Sequence, residues 1–313
     1  MPRVVGLGDA GLDLVLHVPR LPHHDEKILA SRIERLSGGV VANVRCALTR
    51  LGTHSRLLAC VGDDEAGRFV MERLRGFGVD VTRVAVKAGE DTCFSVGLLD
   101  ASGEKALVLV ATSAMFPSPD DLADDAFYEA DLLHTTGLRI DTTLKAVALA
   151  KRNGMPVSLD LEPSTLQQGW DGVRQILADT HILFLNQHSI DEVCPGEPDP
   201  GAAAATFLGY GPKIVVLTRG SKGSIVRGAG MDIRTPGFSV PVADTTGAGD
   251  CFNASFLHGY LQEWPVERTV LFANAAAALS ITAVGAQTAL PTVEQVDEFL
   301  ARSPRGSGSP REG

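Results

Sequence analysis

Asp244-Thr245-Thr246-Gly247-Ala248-Gly249-Asp250 stands directly before an apolar run at 251–260. The three small residues in this stretch let the backbone turn tightly. The apolar positions of the run recur with helical spacing, which predicts a helix that starts at the turn. The first N–H groups of a helix have no intrahelical acceptor, and the helix dipole adds positive potential there. The stretch therefore predicts an anion-binding helix N-terminus.

Asp250 is the unexpected residue of this stretch, because a carboxylate beside an anion site repels the ligand. A functional interpretation is that Asp250 accepts a proton during a reaction at the site. The alternative is that Asp250 only stabilises the helix N-terminus and that the glycines only form a turn. The rest of the sequence favours the functional interpretation.

The stretch resembles the signature of the ribokinase-like (PfkB) carbohydrate kinases, and three further elements follow the order of that family. They are Gly38-Gly39-Val40-Val41-Ala42-Asn43, the segment 61–67, and Gly285-Ala286-Gln287 with Pro291. The resemblance implies an α/β fold: a ribokinase-like three-layer α/β/α domain with a mostly parallel central sheet and a small β-sheet lid. Periodicity alone indicates only an α/β nucleotide or phosphate binder.

Strand and helix patterns alternate along most of the chain, which predicts a parallel sheet covered on both faces. Strands are expected at 3–8, 56–62, 79–84, 131–136, 156–160, 181–185 and 213–218, and helices at 41–50, 65–76 and 141–153. Polar, amphipathic strands at 27–36, 93–99 and 105–111 match the family's lid, with a turn at 100–103. We expect a core of 1–12, 38–90 and 112–301, a lid of 13–37 and 91–111, and a disordered tail, 302–313.

The composition excludes several classes of protein. With 313 residues and 44% hydrophobic content, the chain can build a sizeable core. A net charge of −10 without a basic stripe argues against nucleic acid as a partner. No apolar run approaches the length of about 20 residues that spans a membrane, and the N-terminus predicts no signal peptide. Five cysteines without CxxC spacing indicate neither disulfides nor zinc, so we expect a cytoplasmic protein.

A dinucleotide-binding fold is an alternative interpretation of the N-terminus, because 6–11 matches GxGxxG. That fingerprint requires a helix to start inside the motif. Residues 12–18 instead alternate with period two, which predicts a strand. The context therefore argues against a Rossmann dehydrogenase.

The resemblance assigns substrate contacts to Asp13, which would hold sugar hydroxyls, and to Gly39 and Asn43. Val40 stands where ribokinases commonly have lysine, and this weakens ribose as the substrate. Exposure of Asp13 to water on an edge strand is the alternative interpretation.

Two basic residues, Lys27 in the lid and Arg139 in a strand-end loop, suit an anionic substituent on the substrate. Similar basic residues occur in sulfofructose kinases, and the first fifty residues are also similar to ketohexokinases. These resemblances favour a ketose or an acidic sugar derivative. Alternatively, both residues are solvated or form ion pairs.

For the nucleotide, the resemblance implies binding of ATP with Mg²⁺ by Asn186, Thr218, Gly220, Gly223 and Asn274. Ser189 stands where the family has a glutamate that organises magnesium. Magnesium would then be held largely by waters and ATP phosphates.

Asp244 and Thr246 resemble the family's monovalent-cation loop. Ala289 stands where some potassium-dependent members have serine. Binding of K⁺ is therefore left open.

The sequence thus predicts an ATP-dependent sugar kinase that phosphorylates a hydroxyl, preferably a primary one. Asp250 would be the catalytic base, and the N–H groups of Gly247, Ala248 and Gly249 would stabilise the transferring phosphoryl group. Two alternatives are a nucleoside kinase of the same fold and a non-catalytic sugar or nucleotide sensor. Apolar alternation in the lid also predicts a homodimer that pairs through the lid.

Overall fold

The computed structural model describes residues 3–100 and 105–303 of the chain. The strands are β1 (Arg3–Leu7), β2 (Gly11–His17), β3 (Arg32–Gly38), β4 (His54–Leu58), β5 (Cys60–Gly62), β6 (Ala85–Lys87), β7 (Phe94–Leu99), β8 (Lys105–Val110), β9 (Leu132–Thr135), β10 (Val157–Asp160), β11 (Ile182–Asn186), β12 (Ile214–Thr218), β13 (Ser224–Gly228) and β14 (Met231–Thr235). The helices are α1 (Val40–Arg50), α2 (Glu65–Gly76), α3 (Ile140–Arg152), α4 (Pro163–Leu166), α5 (Trp170–Ala178), α6 (Gln187–Val193), α7 (Pro200–Thr206), α8 (Ala248–Leu261), α9 (Val266–Ser280) and α10 (Val293–Arg302).

The central sheet has the order β14-β13-β12-β11-β10-β9-β1-β4. Its strands are parallel from β4 to β12, and β13 and β14 extend it as an antiparallel hairpin. Successive side chains of a strand point to opposite faces. Leu132 accordingly packs in the cluster that holds α1, α8 and α9, whereas Leu133 packs in the cluster that holds α3 and α5. The predicted three-layer α/β/α fold is therefore confirmed.

Helix α8 lies in the middle of its layer, and its residues Cys251 to Gly259 are buried. A helix that is apolar on all sides is stable only inside a core. The helix packs against α1 and α9 as well as the sheet, so its N-terminal turn is held in place at the carboxyl edge of the sheet.

A second sheet of four strands, with the order β3-β2-β7-β8, stands apart from the central sheet. Its register places Leu36 and Ser95 on either side of Asp13, and Leu109 beside Ser95. Partners in register share one face of a sheet. We call this sheet the lid sheet; its strands lie within 11–38 and 94–110, near the segments predicted for the lid.

Several local predictions differ from the structure. The segment 79–84 is not a strand: only Asp80 forms a bridge, to Arg56, and the next strand is β6. Of the lid segment 27–36, only the part from Arg32 is a strand. Arg302 ends α10 rather than beginning a tail, and 304–313 lie outside the described residues, as do 101–103 of the predicted turn.

Among the helices within 3–100 and 105–303, none combines the length and the apolarity that crossing a bilayer requires.

Candidate active site

A cavity of about 950 Å³ separates the lid sheet from the carboxyl edge of the central sheet. Its lining has a polar part and an apolar part. The polar part includes Asp9, Asp13, Gly39, Asn43, Ser95, Glu162, Asp244, Thr246, Gly247 and Asp250. The apolar part includes Leu36, Leu107, Leu109, Met115, Phe116 and Leu138. The structure thus brings together seven residues that the sequence singled out, namely Asp13, Gly39, Asn43, Asp244, Thr246, Gly247 and Asp250.

The N-terminal turn of α8 opens on this cavity. Gly247 has a φ of +76°, and a Cβ at this position would lie 2.5 Å from the Cβ of Ala286, so only glycine fits. In the described part of the chain no side chain caps the helix, which leaves its first N–H groups to a ligand. The N–H of Ala248 is an exception, because it donates to the carbonyl of Thr245 at 3.3 Å.

Asp250 lies in the first turn of α8, and its Oδ2 accepts a hydrogen bond from Nδ2 of Asn43 at 2.7 Å. Burial raises the pKa of Asp250 to about 8, even though the Asn43 bond lowers it; the nearby charges of Glu162, Asp9 and Asp13 raise it further. An ordinary aspartate has a pKa near 4, and nothing in the sequence predicts a different value for Asp250. The site therefore holds a carboxyl group whose proton affinity suits a general base near neutral pH.

We expect kcat/KM of the reaction at this site to rise about tenfold per pH unit between pH 6 and 7.5 and to level off above pH 8. The reason is that only the ionised form of Asp250 can accept a proton, and burial places its pKa at about 8. Steady-state rates measured in buffers of constant ionic strength test this. A flat profile from pH 6 to 9 would show that Asp250 titrates elsewhere or is not the base.

Two further carboxylates of the cavity lining, Asp9 and Asp13, accept hydrogen bonds from neighbouring protein groups. Asp9 accepts hydrogen bonds from the N–H groups of Val40 at 3.1 Å and Val41 at 3.2 Å, so it caps α1. Burial raises the pKa of Asp9. Asp13 accepts a hydrogen bond from Oγ of Ser95 on the neighbouring lid strand. Both carboxylates are therefore held by neighbouring protein groups.

Asp160 is the last residue of β10, and Glu162 follows that strand at the same edge of the sheet. Oδ2 of Asp160 accepts a hydrogen bond from Nδ2 of Asn253 in α8 at 2.8 Å. Burial raises the pKa of Glu162 to about 7, and burial together with the charges of Glu162 and Asp250 raises that of Asp160. This edge of the sheet, where Glu162 lines the cavity, therefore holds carboxyl groups that keep protons more tightly than exposed ones.

Asp244 ties together the loop that leads into α8. Its Oδ1 accepts hydrogen bonds from the N–H of Thr246 at 2.9 Å and from its Oγ1 at 2.6 Å, and its Oδ2 accepts from the N–H of Gly285 at 2.9 Å. Within the residues that the structure describes, no group of three or more His, Cys, Asp or Glu side chains is arranged to hold a metal ion.

The residues predicted for the nucleotide lie beside the cavity, at the ends of β11 and β12. Asn186 is in register with Thr218, and Thr218 is in register with Ser224, whose Oγ accepts a hydrogen bond from Asn274 at 2.8 Å. Gly220 and Gly223 form the intervening turn, with φ of +55° and +85°. The structure therefore groups the five residues at one edge of the sheet.

Comparison with known proteins decides the family. The model of the pfkB family carbohydrate kinases matches residues 1–293. The chain belongs to this PfkB family. It is therefore a phosphotransferase that acts on an alcohol group.

Relatives within the PfkB family cover nearly the whole chain. An ATP-dependent ribose-1-phosphate kinase of Halopiger xanaduensis is 31% identical over 96% of this chain and 99% of its own. A nucleoside kinase of Methanothermobacter thermautotrophicus is 26% identical over 96% of each chain. The structure of Arabidopsis thaliana ribokinase complexed with ribose and ATP has a TM-score of 0.83 at 27% identity, covering 96% of this chain and 99% of that one.

Two of the five residues predicted to contact the substrate are not brought into the cavity of this PfkB protein. Lys27 is exposed and does not line it. Arg139 is also exposed, and its Nε lies 3.1 Å from Oδ1 of Asp141. These positions agree with the alternative interpretation, in which both residues are solvated or form ion pairs.

Sequence reasoning gave no role to Asp9 or Gln287. Asp9 lies just beyond the end of β1, where a polar residue after a buried strand is the signal that locates a site in an α/β protein. Gln287 lies in the PfkB element that begins at Gly285, and its contacts are visible only in three dimensions.

Proposed function

We propose that this protein is an ATP-dependent sugar kinase that transfers the γ-phosphoryl group of ATP to a hydroxyl, preferably a primary one. The observation that carries the proposal is Asp250, a carboxylate held by Asn43 at the uncapped N-terminus of α8 and open to the cavity. A proton acceptor and an anion-binding helix N-terminus side by side suit phosphoryl transfer to an alcohol.

In the proposed reaction the acceptor oxygen forms a bond to the γ-phosphorus while the bond to the β–γ bridging oxygen breaks and ADP leaves. The hydroxyl proton passes to Asp250, whose Oδ1 is the oxygen not engaged by Asn43. The N–H groups of Gly247 and Gly249 stabilise the charge on the transferring group, and Asp13, Gly39 and Asn43 orient the acceptor.

For the donor we propose ATP bound by Asn186, Thr218, Gly220, Gly223 and Asn274. Their grouping at the ends of β11 and β12, with Asn274 on α9, which packs against α8, supports this assignment. When bound with ATP, Mg²⁺ would neutralise phosphate charge and would be held largely by the phosphates and waters, because Mg²⁺ keeps several waters and needs few protein carboxylates. A monovalent cation at Asp244 and Thr246 is a further part of the proposal, tested by comparing rates in K⁺ and Na⁺.

As the acceptor we propose an uncharged ketose in preference to an acidic sugar derivative. The described lining includes carboxylates at 9, 13, 162, 244 and 250 and no Lys, Arg or His. An anionic substituent would be repelled there unless Lys27 or Arg139 turned inward.

A nucleoside is the second candidate acceptor. Leu107, Leu109, Met115 and Phe116 form an apolar part of the cavity large enough for a base next to the polar part for a sugar.

The experiment is ADP release from ATP and Mg²⁺ against ketoses, aldoses, sugar acids, sugar phosphates and nucleosides. Turnover of one class, lost when Asp250 is replaced, would support the proposal. Binding of ATP without turnover of any acceptor would contradict it.

We also propose a homodimer that pairs through the lid. Strand β8 is an edge strand, and Leu107, Val108 and Leu109 on it are 64%, 63% and 54% exposed. An exposed apolar edge strand favours pairing with another strand.

We expect Val108→Lys to shift the protein from dimer to monomer at micromolar concentration, because a lysine on an edge strand opposes pairing. Gel filtration with light scattering measures the mass. A wild-type monomer would remove the proposal, and a Val108→Lys dimer would place the interface elsewhere.

A further inference from the structure

The loop that follows α9 connects with the base through one side chain, Gln287. Its Nε2 donates a hydrogen bond to Oδ1 of Asn43 at 2.8 Å, and Nδ2 of Asn43 donates to Asp250 at 2.7 Å. Gln287 and Asn43 are 7% and 5% exposed, so water does not replace these contacts easily. Three segments distant in sequence thus meet in one chain of hydrogen bonds.

The direction of this chain is set by Asp250 when its carboxylate is ionised, which is the form that can accept a proton. An ionised carboxylate only accepts hydrogen bonds, so Asn43 must turn its NH₂ group toward Asp250. The amide oxygen of Asn43 then faces Gln287 and needs a donor. A glutamine supplies that donor, whereas a methionine supplies none and a glutamate supplies an acceptor.

A second observation separates Gln287 from a residue that only fills space. Its Oε1 is buried and has no hydrogen-bond partner among the described residues. Such an unpaired buried atom is costly and calls for an explanation. The loop itself is anchored elsewhere, by the bond from Gly285 to Asp244 and by the packing of Ala286 on Gly247.

We propose that Gln287 is a positioning residue for phosphoryl transfer: it holds the Asn43 amide in the one orientation that donates to Asp250. This inference rests on the proposed function of Asp250 as the base. Among the described residues, the charged groups near Asp250 are the carboxylates of Glu162, Asp9, Asp13 and Asp160, all of the same charge. A fixed donor on one oxygen therefore decides which oxygen of Asp250 is directed to the acceptor.

The test uses the full-length variants Gln287→Met, Gln287→Glu and, as a matched control, Ser37→Ala. Ser37 is the more distant of the two hydrogen-bond acceptors of Gln287, because its Oγ lies 3.5 Å from Nε2. The titration of Asp250 is followed by ¹³C NMR of labelled aspartate carboxyls and assigned with Asp250→Asn. Turnover is measured with the acceptor that the wild type accepts.

We expect the pKa of Asp250 to rise in Gln287→Met and to rise more in Gln287→Glu, because an acceptor at 287 turns the Asn43 amide around. At pH 7.5, kcat should fall at least about tenfold while KM for ATP stays within twofold. Ser37→Ala should match the wild type in both measurements. A purely structural role would lower the melting temperature without moving the titration.

Wild-type titration and wild-type kcat in both Gln287 variants would overturn the inference. A wild type that phosphorylates no acceptor would instead contradict the proposed function, and the NMR titration would still decide the role of Gln287. If Gln287→Met does not fold, as judged by circular dichroism, the nearly isosteric Gln287→Glu decides.

Discussion

Asp250→Asn should lower kcat by about 10² to 10⁴-fold, the range that general-base catalysis contributes. The asparagine keeps an oxygen that accepts the hydrogen bond from Asn43, so the shape of the site is preserved while the proton acceptor is lost. Binding of ATP, measured by calorimetry, should be unchanged because the predicted nucleotide residues lie beside the cavity and not in its lining. Turnover close to that of the wild type would show that Asp250 is not the base.

The same variant should also change how the stability of the protein depends on pH. Burial raises the pKa of Asp250 from its ordinary value to about 8, so between these values the unfolded chain releases a proton that the folded chain retains. Stability then falls as pH rises through this window. Asp250→Asn removes this loss, and its melting temperature should exceed that of the wild type at pH 8 but not at pH 4. Asp120→Asn, at an exposed site outside the cavity, should change neither kcat nor the melting temperature.

Gly247→Ala should lower kcat by about 10²-fold and lower the melting temperature. Its Cβ would lie 2.5 Å from Cβ of Ala286, so either the N-terminal turn of α8 or the loop beside it must move. A displacement of about 1 Å at a reacting centre is enough for a loss of this size. Steady-state kinetics and thermal melting measure the two effects.

Gly230→Ala is the matched control for backbone strain. Gly230 has a φ of +73°, close to that of Gly247, but no atom lies within 4 Å of an added Cβ. Both variants carry the left-handed strain of about 1 to 2 kcal/mol, and only Gly247→Ala carries the overlap. Equal kcat values in the two variants would show that the position of the α8 turn does not limit the reaction.

Those parts of the fold with strong local signals were predicted from the sequence. Helix α2 has the predicted bounds, because Asp64 caps it through the N–H of Gly67. The segment 79–84 was mispredicted for a physical reason: Val79, Val81 and Val84 are apolar because they pack in the core, while the backbone runs as a loop with one bridge. A short segment rich in valine reports burial of side chains and does not by itself report a ladder of hydrogen bonds.

For the candidate site, the sequence identified the residues around Asp250 but not their electrostatics. The raised pKa of Asp250 depends on burial and on Glu162 and Asp9, which are brought close only by the sheet. The same limit applies to Arg139, whose partner Asp141 is visible in the sequence only as one of many acidic residues. Residue types at motif positions indicate chemistry, whereas proton affinity and charge pairing require coordinates.

The order of the strands has a consequence for synthesis on the ribosome. Strand β1 lies between β4 and β9, and Asp13 and Asn43 belong to the first fifty residues, whereas Asp250 and Gln287 belong to the last seventy or so. An emerging chain therefore acquires the residues proposed to contact the acceptor early, and the proposed proton acceptor, with the loop proposed to orient it, close to the end. Domains fold as units during translation, so an interrupted chain that stops before α8 lacks the residue proposed to take the hydroxyl proton.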